Sequence, residues 1–169
     1  NGITDRGDAS GTGWWSSRKN KYVKEVLDHP LVGLKQSMLP QVLQPNEIAG
    51  KVNKDASEWT GLRVGIPVAC GTGDNAAAAL GLAVKPGIPV ISLGTSGTAY
   101  TLSLKAPADV SGQVFAHASA SGEHLPLTCT LNATLTLDNI AKMLSLDRLA
   151  VADQTRVVVM PYLSGERLP

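Results

Sequence analysis

The apolar pattern is most regular in the middle of the chain. IPVAC, residues 66–70, is followed by the turn-forming GTGD and then by DNAAAALGLA. This order predicts a short buried strand, a turn and a helix, because a run of alanines favours helix and allows close packing. Farther on, PVISLGTSGTAYTLSL reads as two strands joined at Gly94 to Gly97. QVFAHAS and HLPLTCT read as two more, set apart by Gly, Ser and Pro clusters. A helix is predicted over residues 132–145 with Leu135, Ile140, Met143 and Leu144 facing inward, and VVVMPYL is predicted to return as a buried strand.

The first third is less regular. TDRGDASGTGWW, residues 4–15, is crowded with Asp, Gly, Ser and Thr and predicts a loop that bonds its own backbone. KYVKEVLDH, residues 21–29, places Tyr22, Val23, Val26 and Leu27 on one face and predicts a helix stopped by Pro30. Short pieces come next: MLPQVLQ, a strand-like NEIAGKV, and DASEWTGL as a short helix capped by Asp55 or Ser57. The change of composition at Pro86–Gly87 marks the candidate domain boundary, dividing 1–86 from 87–169.

Composition narrows the partners. Seven aromatic residues against 17 glycines imply a core of Ala, Val, Leu and Ile around Gly-containing turns, which is an α/β composition. A net charge of +1 without a basic run argues against nucleic acid. No apolar stretch approaches the roughly 20 residues that span a bilayer, so a cytoplasmic location without a membrane partner is expected. Cys70 and Cys129 each sit in an apolar run and are expected to be buried thiols, not metal ligands.

Two turns carry candidate chemistry. Gly71-Thr72-Gly73-Asp74-Asn75-Ala76 satisfies the Gly-x-Gly-x-x-Ala form of the dinucleotide fingerprint. A carboxylate directly after the second Gly would repel a pyrophosphate, however, and the next strand, VISLGTS, offers no acidic residue for a ribose. Nicotinamide or flavin binding is therefore disfavoured. An Asp at a helix start is ordinarily a cap. Here the flanking glycines leave room for a ligand to reach the Asp74 carboxylate, and Asn75 adds an amide able to bind hydroxyls. Such a carboxylate suits a general base that takes a proton from an alcohol. The second turn, Gly94-Thr95-Ser96-Gly97, can aim backbone N–H groups and two hydroxyls at a phosphate, although a plain hairpin turn has the same composition. It lacks the Gly-Lys-Ser/Thr ending of a P-loop, and Thr98 stands where a nucleophile elbow needs Gly.

The order of segments resembles one family. TDRGDASGTGWW, VACGTGDNAAAALGLAV, VISLGTSGTAY, CTLNATLTLDNIAKML and MPYLSGERLP are together similar to the FGGY family of carbohydrate kinases, and within it to the bacterial enzymes that phosphorylate D-xylulose. The resemblance implies an actin-like, ribonuclease-H-like ATPase fold of two domains around a cleft, with sugar on one side and ATP with Mg2+ on the other. On that basis residues 1–86 belong to the sugar-binding domain and 87–169 to the nucleotide-binding domain. Asp74 matches the catalytic base, Asn75 a sugar-contacting neighbour, and Gly94, Thr95, Ser96 and Gly97 the second phosphate loop. The Asp8 stretch matches a segment read as structural, and Glu166 and Arg167 match a motif with no assigned chemistry. A homodimer is compatible with the resemblance. The alternatives are a noncatalytic binding module on the same fold and a kinase for ribulose, gluconate or glycerol.

Complete members of the family are far longer. The first phosphate loop, with the acidic residue associated with magnesium, and the adenosine-binding segment have no counterpart here, and the stretch from Leu146 to Val157 is short. The chain is therefore expected to be part of such an enzyme, to hold no metal site of its own, and to be inactive alone.

Overall fold

The computed structural model describes residues 2–147 together with 156, 160, 162, 165 and 166. The elements run in the order β1 (Ile3–Asp5), α1 (Arg6–Gly11), β2 (Trp15–Ser16), β3 (Lys21–Tyr22), α2 (Lys24–Leu27), a 3-10 turn (Gln36–Met38), β4 (Gln41–Leu43), β5 (Ile48–Lys51), α3 (Lys54–Thr60), β6 (Pro67–Ala69), α4 (Asp74–Gly81), β7 (Val90–Leu93), β8 (Gly97–Tyr100), β9 (Phe115–Ala118), β10 (His124–Thr130) and α5 (Thr134–Leu144).

The largest sheet has the order β7-β8-β10-β9 and is antiparallel throughout. Its register sets Gly97 opposite Thr130 at one end of β10 and Ala118 opposite His124 at the other. Helix α4 covers this sheet. Ala76 and Ala79, three apart and on one face, are buried with Tyr100, Leu125 and Leu127. Side chains this small let the helix backbone approach the strands closely. A second cluster, Ala9, Trp15 and Ala118, joins α1 to β9. Both clusters therefore draw on residues from either side of Pro86–Gly87.

The opening segment is more ordered than its composition suggests. Residues 4–15, expected as loop, include the end of β1 and all of α1, and β1 pairs in parallel with β4. The cause is Asp5, whose carboxylate accepts from the Gly7 N–H at 2.6 Å and the Asp8 N–H at 3.3 Å and so caps α1. The helix expected over 21–29 shrinks to the single turn of α2, because Lys21 and Tyr22 pair with Ser16 and Trp15 as strands instead. Asn53, not Asp55 or Ser57, caps α3 by accepting from the Ala56 N–H at 2.8 Å.

Burial also departs from expectation. The strand in IPVAC forms as β6, but Pro67, Val68 and Ala69 are all exposed. On α5, Leu135 and Leu144 are exposed and Met143 is 75% exposed, while Ile140 is half-buried and Thr136 is the buried residue. None of these apolar side chains belongs to the first core cluster. Cys70 and Cys129, expected to be buried, are half-buried. The predicted VVVMPYL strand lies outside the described residues apart from Met160 and Tyr162, both exposed. Among the described residues no helix is long and apolar enough to cross a membrane.

Candidate functional site

Three segments meet at one corner: the start of α1, the Gly71–Asp74 turn and the end of β9. Asp5 ties the first two together, since its Oδ2 also accepts from the Thr72 hydroxyl at 3.0 Å. Ser10 ties in the third. Its Oγ donates to the Gly7 carbonyl at 2.7 Å and accepts from the Ala118 N–H at 2.9 Å. The links are short side chains bonding backbone or one another, so the corner is held by geometry that leaves its outer surface open.

That surface is a pocket of about 340 Å³ whose lining includes Asp8, Thr12, Gly73, Asp74, Asn75 and His117. Asp74 is the first residue of α4 and exposed, as the Gly-Asp turn predicts. It does not cap its helix: Gly73 occupies the cap position and no side chain bonds the first turn there. The Asp74 Oδ1 instead accepts from the N–H of Asn75 at 2.7 Å and from the Asn75 side-chain amide at 3.2 Å. Both bonds engage the same carboxylate oxygen, Oδ1.

Asp8, read from the sequence as structural, also lines this pocket. A Cβ at Gly73 would lie 2.5 Å from the Asp8 Oδ1, so glycine at 73 is what allows the Asp8 carboxylate to lie against the turn. Partial burial and the neighbouring Asp5 and Asp74 carboxylates raise the Asp8 pKa, opposed by His117. His117 comes from β9 and reaches the same pocket. Burial pushes its pKa down, while the Gly7 backbone and Asp8 pull the other way. Sequence reasoning missed His117. The available signal was the alternation in FAHAS, which puts His117 on the opposite face of β9 from Ala118 without showing what lies there.

The Gly94–Gly97 turn is not among the residues lining this pocket. It sits at the Thr130 end of β10, whereas the pocket wall uses Ala118 and Leu125 near the other end. Thr95 and Ser96 are exposed at its tip. Gly97 is buried, and a Cβ there would come within 3.0 Å of the Thr130 Cγ2 and 3.4 Å of the Ala133 Cβ. Its glycine thus serves close packing. The Gly94 N–H donates to the Ser96 carbonyl at 2.9 Å. Of the four residues, Gly94, Thr95 and Ser96 are exposed, and Thr95 and Ser96 bring hydroxyls to the surface.

Glu166, to which the sequence assigned no chemistry, joins the end of β10. Its carboxylate accepts from the Leu131 N–H at 2.8 Å, from the Asn132 amide at 3.0 Å and from the Thr130 hydroxyl. Arg167 lies outside the described residues. Among the described residues, no group of three or more His, Cys, Asp or Glu is arranged to hold a metal ion.

Residues 1–81 match the N-terminal domain of the FGGY family of carbohydrate kinases. It is 55% identical over 168 residues to a xylulose kinase of Streptomyces rubiginosus, covering 99% of this chain and 34% of that protein. The crystal structure of xylulose kinase from Bifidobacterium adolescentis superposes with a TM-score of 0.75 at 34% identity, over 98% of this chain and 36% of that one. A gluconate kinase from Lactobacillus acidophilus, 23% identical, shares the fold with a TM-score of 0.81 over 99% of this chain and 36% of its own. The fold is thus the α/β, actin-like and ribonuclease-H-like one. The chain spans about a third of the length of the relatives it matches.

Proposed function

We propose that this sequence is part of an ATP-dependent sugar kinase that phosphorylates D-xylulose to D-xylulose 5-phosphate, with Asp74 as the general base. The observation that carries the reading is the exposed Asp74 carboxylate at the start of α4, oriented by Asn75 and not consumed as a cap. Xylulose kinase relatives at 55% identity support the choice of sugar.

A phosphoryl transfer asks a protein mainly to position the two substrates and stabilise charge. Asp74 would accept the proton of the attacking hydroxyl, Asn75 would hold a neighbouring hydroxyl, and Thr95 and Ser96 would donate to phosphate oxygens of ATP. Two carboxylates in one pocket, Asp8 and Asp74, suit a neutral polyol, because ionised carboxylates only accept hydrogen bonds and sugar hydroxyls donate them. When bound, magnesium would neutralise phosphate charge. Among the described residues there is no three-ligand group for it. The division at 86/87 into a sugar side and a nucleotide side remains part of the proposal, supported by the family match ending at residue 81. A cytoplasmic enzyme acting on small molecules fits this reading.

The test is ADP release by the full-length protein carrying this sequence, with a panel of pentuloses, hexuloses, glycerol and gluconate. D-xylulose is expected to give the highest kcat/KM. ADP release that no sugar stimulates would overturn the kinase reading, and preference for another sugar would overturn only the substrate. Residues 1–169 alone are expected to release no ADP, because exposed apolar faces and strand edges leave only part of a cleft.

A further inference from the structure

The Glu166 carboxylate makes more of its surroundings than any sequence signal assigns. Its three acceptor contacts fall on three consecutive residues, Thr130, Leu131 and Asn132, at the point where β10 ends. The Asn132 amide also donates to the Gly165 carbonyl at 2.8 Å, and the Asn132 N–H donates to the Thr130 hydroxyl oxygen at 3.0 Å. The turn out of β10 is therefore locked from outside by a segment remote in sequence.

The start of α5, just past that turn, holds the hairpin. Helix α5 has no side-chain cap; its first residue, Thr134, donates from both N–H and hydroxyl to the Gly94 carbonyl, at 3.0 and 2.7 Å. The Leu135 N–H donates to the Thr95 carbonyl at 3.4 Å. The hairpin carbonyls thus satisfy donors that a free helix start would leave unpaired. Gly97 packs against Thr130 and Ala133, two residues of the same turn. From Glu166 through Asn132 to Thr134 and Gly94, every link is a hydrogen bond or a peptide neighbour.

We infer that Glu166 is a positioning residue for the Gly94–Gly97 turn, fixing the β10–α5 connection so that Thr95 and Ser96 are presented in one geometry to the phosphates of a nucleotide. The inference rests on the proposed phosphate role of that turn. Glu166 touches no reacting atom in this scheme. Its carboxylate acts because it offers only acceptors to three donors, which an amide cannot do.

The experiment uses the full-length protein and compares Glu166→Gln, Glu166→Asp, Thr95→Ala and the double variant Glu166→Gln with Asn132→Asp. KM for ATP and for sugar, kcat, and the unfolding midpoint are measured for each. Glu166→Gln sets an NH2 against the Asn132 amide or the Thr130 hydroxyl. It is expected to raise KM for ATP roughly tenfold, the loss typical of a hydrogen bond to a charged group, with KM for sugar within about twofold of wild type. Restoring an acceptor at position 132 should recover part of that loss. If Glu166→Gln does not fold, the same split is read from Glu166→Asp, which keeps the charge but withdraws it by one methylene.

An unchanged KM for ATP in a folded Glu166 variant, or equal rises in both KM values, would overturn the inference. Thr95→Ala separates the clamp from the phosphate turn it serves. If it raises KM for ATP while the Glu166 variants do not, the clamp fails and the phosphate turn stands. If Thr95→Ala leaves KM for ATP unchanged, the phosphate reading falls, and the clamp with it.

Discussion

Two aspartates begin two helices at the same corner of this molecule, and they do different work. Asp5 precedes α1, is buried, and spends its oxygens on the Gly7 and Asp8 N–H groups and the Thr72 hydroxyl. Asp74 stands one position farther in, as the first residue of α4, where it is exposed and bonds only the adjacent Asn75 among the described residues. One residue of register decides the outcome. A carboxylate at the cap position can reach the free N–H groups of the first turn, while one inside the helix points outward from it. The sequence offers the same residue type at both helix starts, and the structure buries one as a cap and leaves the other exposed.

If that contrast is right, breaking Asp5 should cost the most stability. Asp5→Ala removes a cap and a buried link between α1 and the Gly71–Asp74 turn, and should destabilise the protein by about 3 kcal/mol. Chemical denaturation would register this as a lower midpoint with unchanged slope. A loss below about 1 kcal/mol would mean that water replaces those contacts and that Asp5 is not the tie proposed.

Gly73→Ala should cost less, about 1 kcal/mol, because the added Cβ meets the mobile end of the Asp8 side chain and not backbone. Its sharper effect should be on sugar binding, since the Asp8 carboxylate must leave the pocket wall. A several-fold weaker sugar affinity by calorimetry, roughly the loss of one hydrogen bond, is the expected result. Unaltered affinity would remove Asp8 from the site.

His117 gives a smaller, pH-dependent effect. Its pKa is lowered in the folded state, mainly by burial, so the fold prefers the neutral ring. Stability is then fully present above the unfolded value of 6.5 and is lost as pH falls through it toward the depressed folded value. His124, lowered by burial and by Arg6 and Arg18, contributes with the same sign. His117→Gln should flatten the fall in stability between about pH 7.5 and pH 5.5 without abolishing it. A slope identical to wild type would show that His117 does not titrate as its burial implies. The smallest effect belongs to Asp74 itself: Asp74→Ala should change stability by no more than about 0.5 kcal/mol, as for a surface residue without capping bonds. A larger loss would make it a structural residue after all.

Much of this was legible beforehand because it is local. The Gly-Asp turn opening α4, the β7–β8 hairpin and the strands β9 and β10 arise from turn residues set between apolar runs. The misreadings occur where a partner distant in sequence decides. Tyr22 pairs with Trp15 as strand, which overrides the helical spacing over 21–29. The run RGDASG hides a helix because its cap, Asp5, is equally a loop former, although an acidic residue three positions later marks a helix start. His117 reaches the pocket only through the pairing of β9 with β10 and the packing of β9 on α1. Glu166 likewise acquires its role from where the chain returns, which no local pattern encodes.

The measurement closest to the central claim is the turnover of Asp74→Asn in the full-length protein, at saturating ATP and sugar, beside its unfolding midpoint. Replacing a positioned general base should lower kcat about 10²- to 10⁴-fold, with the midpoint and ATP binding held at wild-type values. A folded Asp74→Asn protein that turns over within a few-fold of wild type would contradict the account.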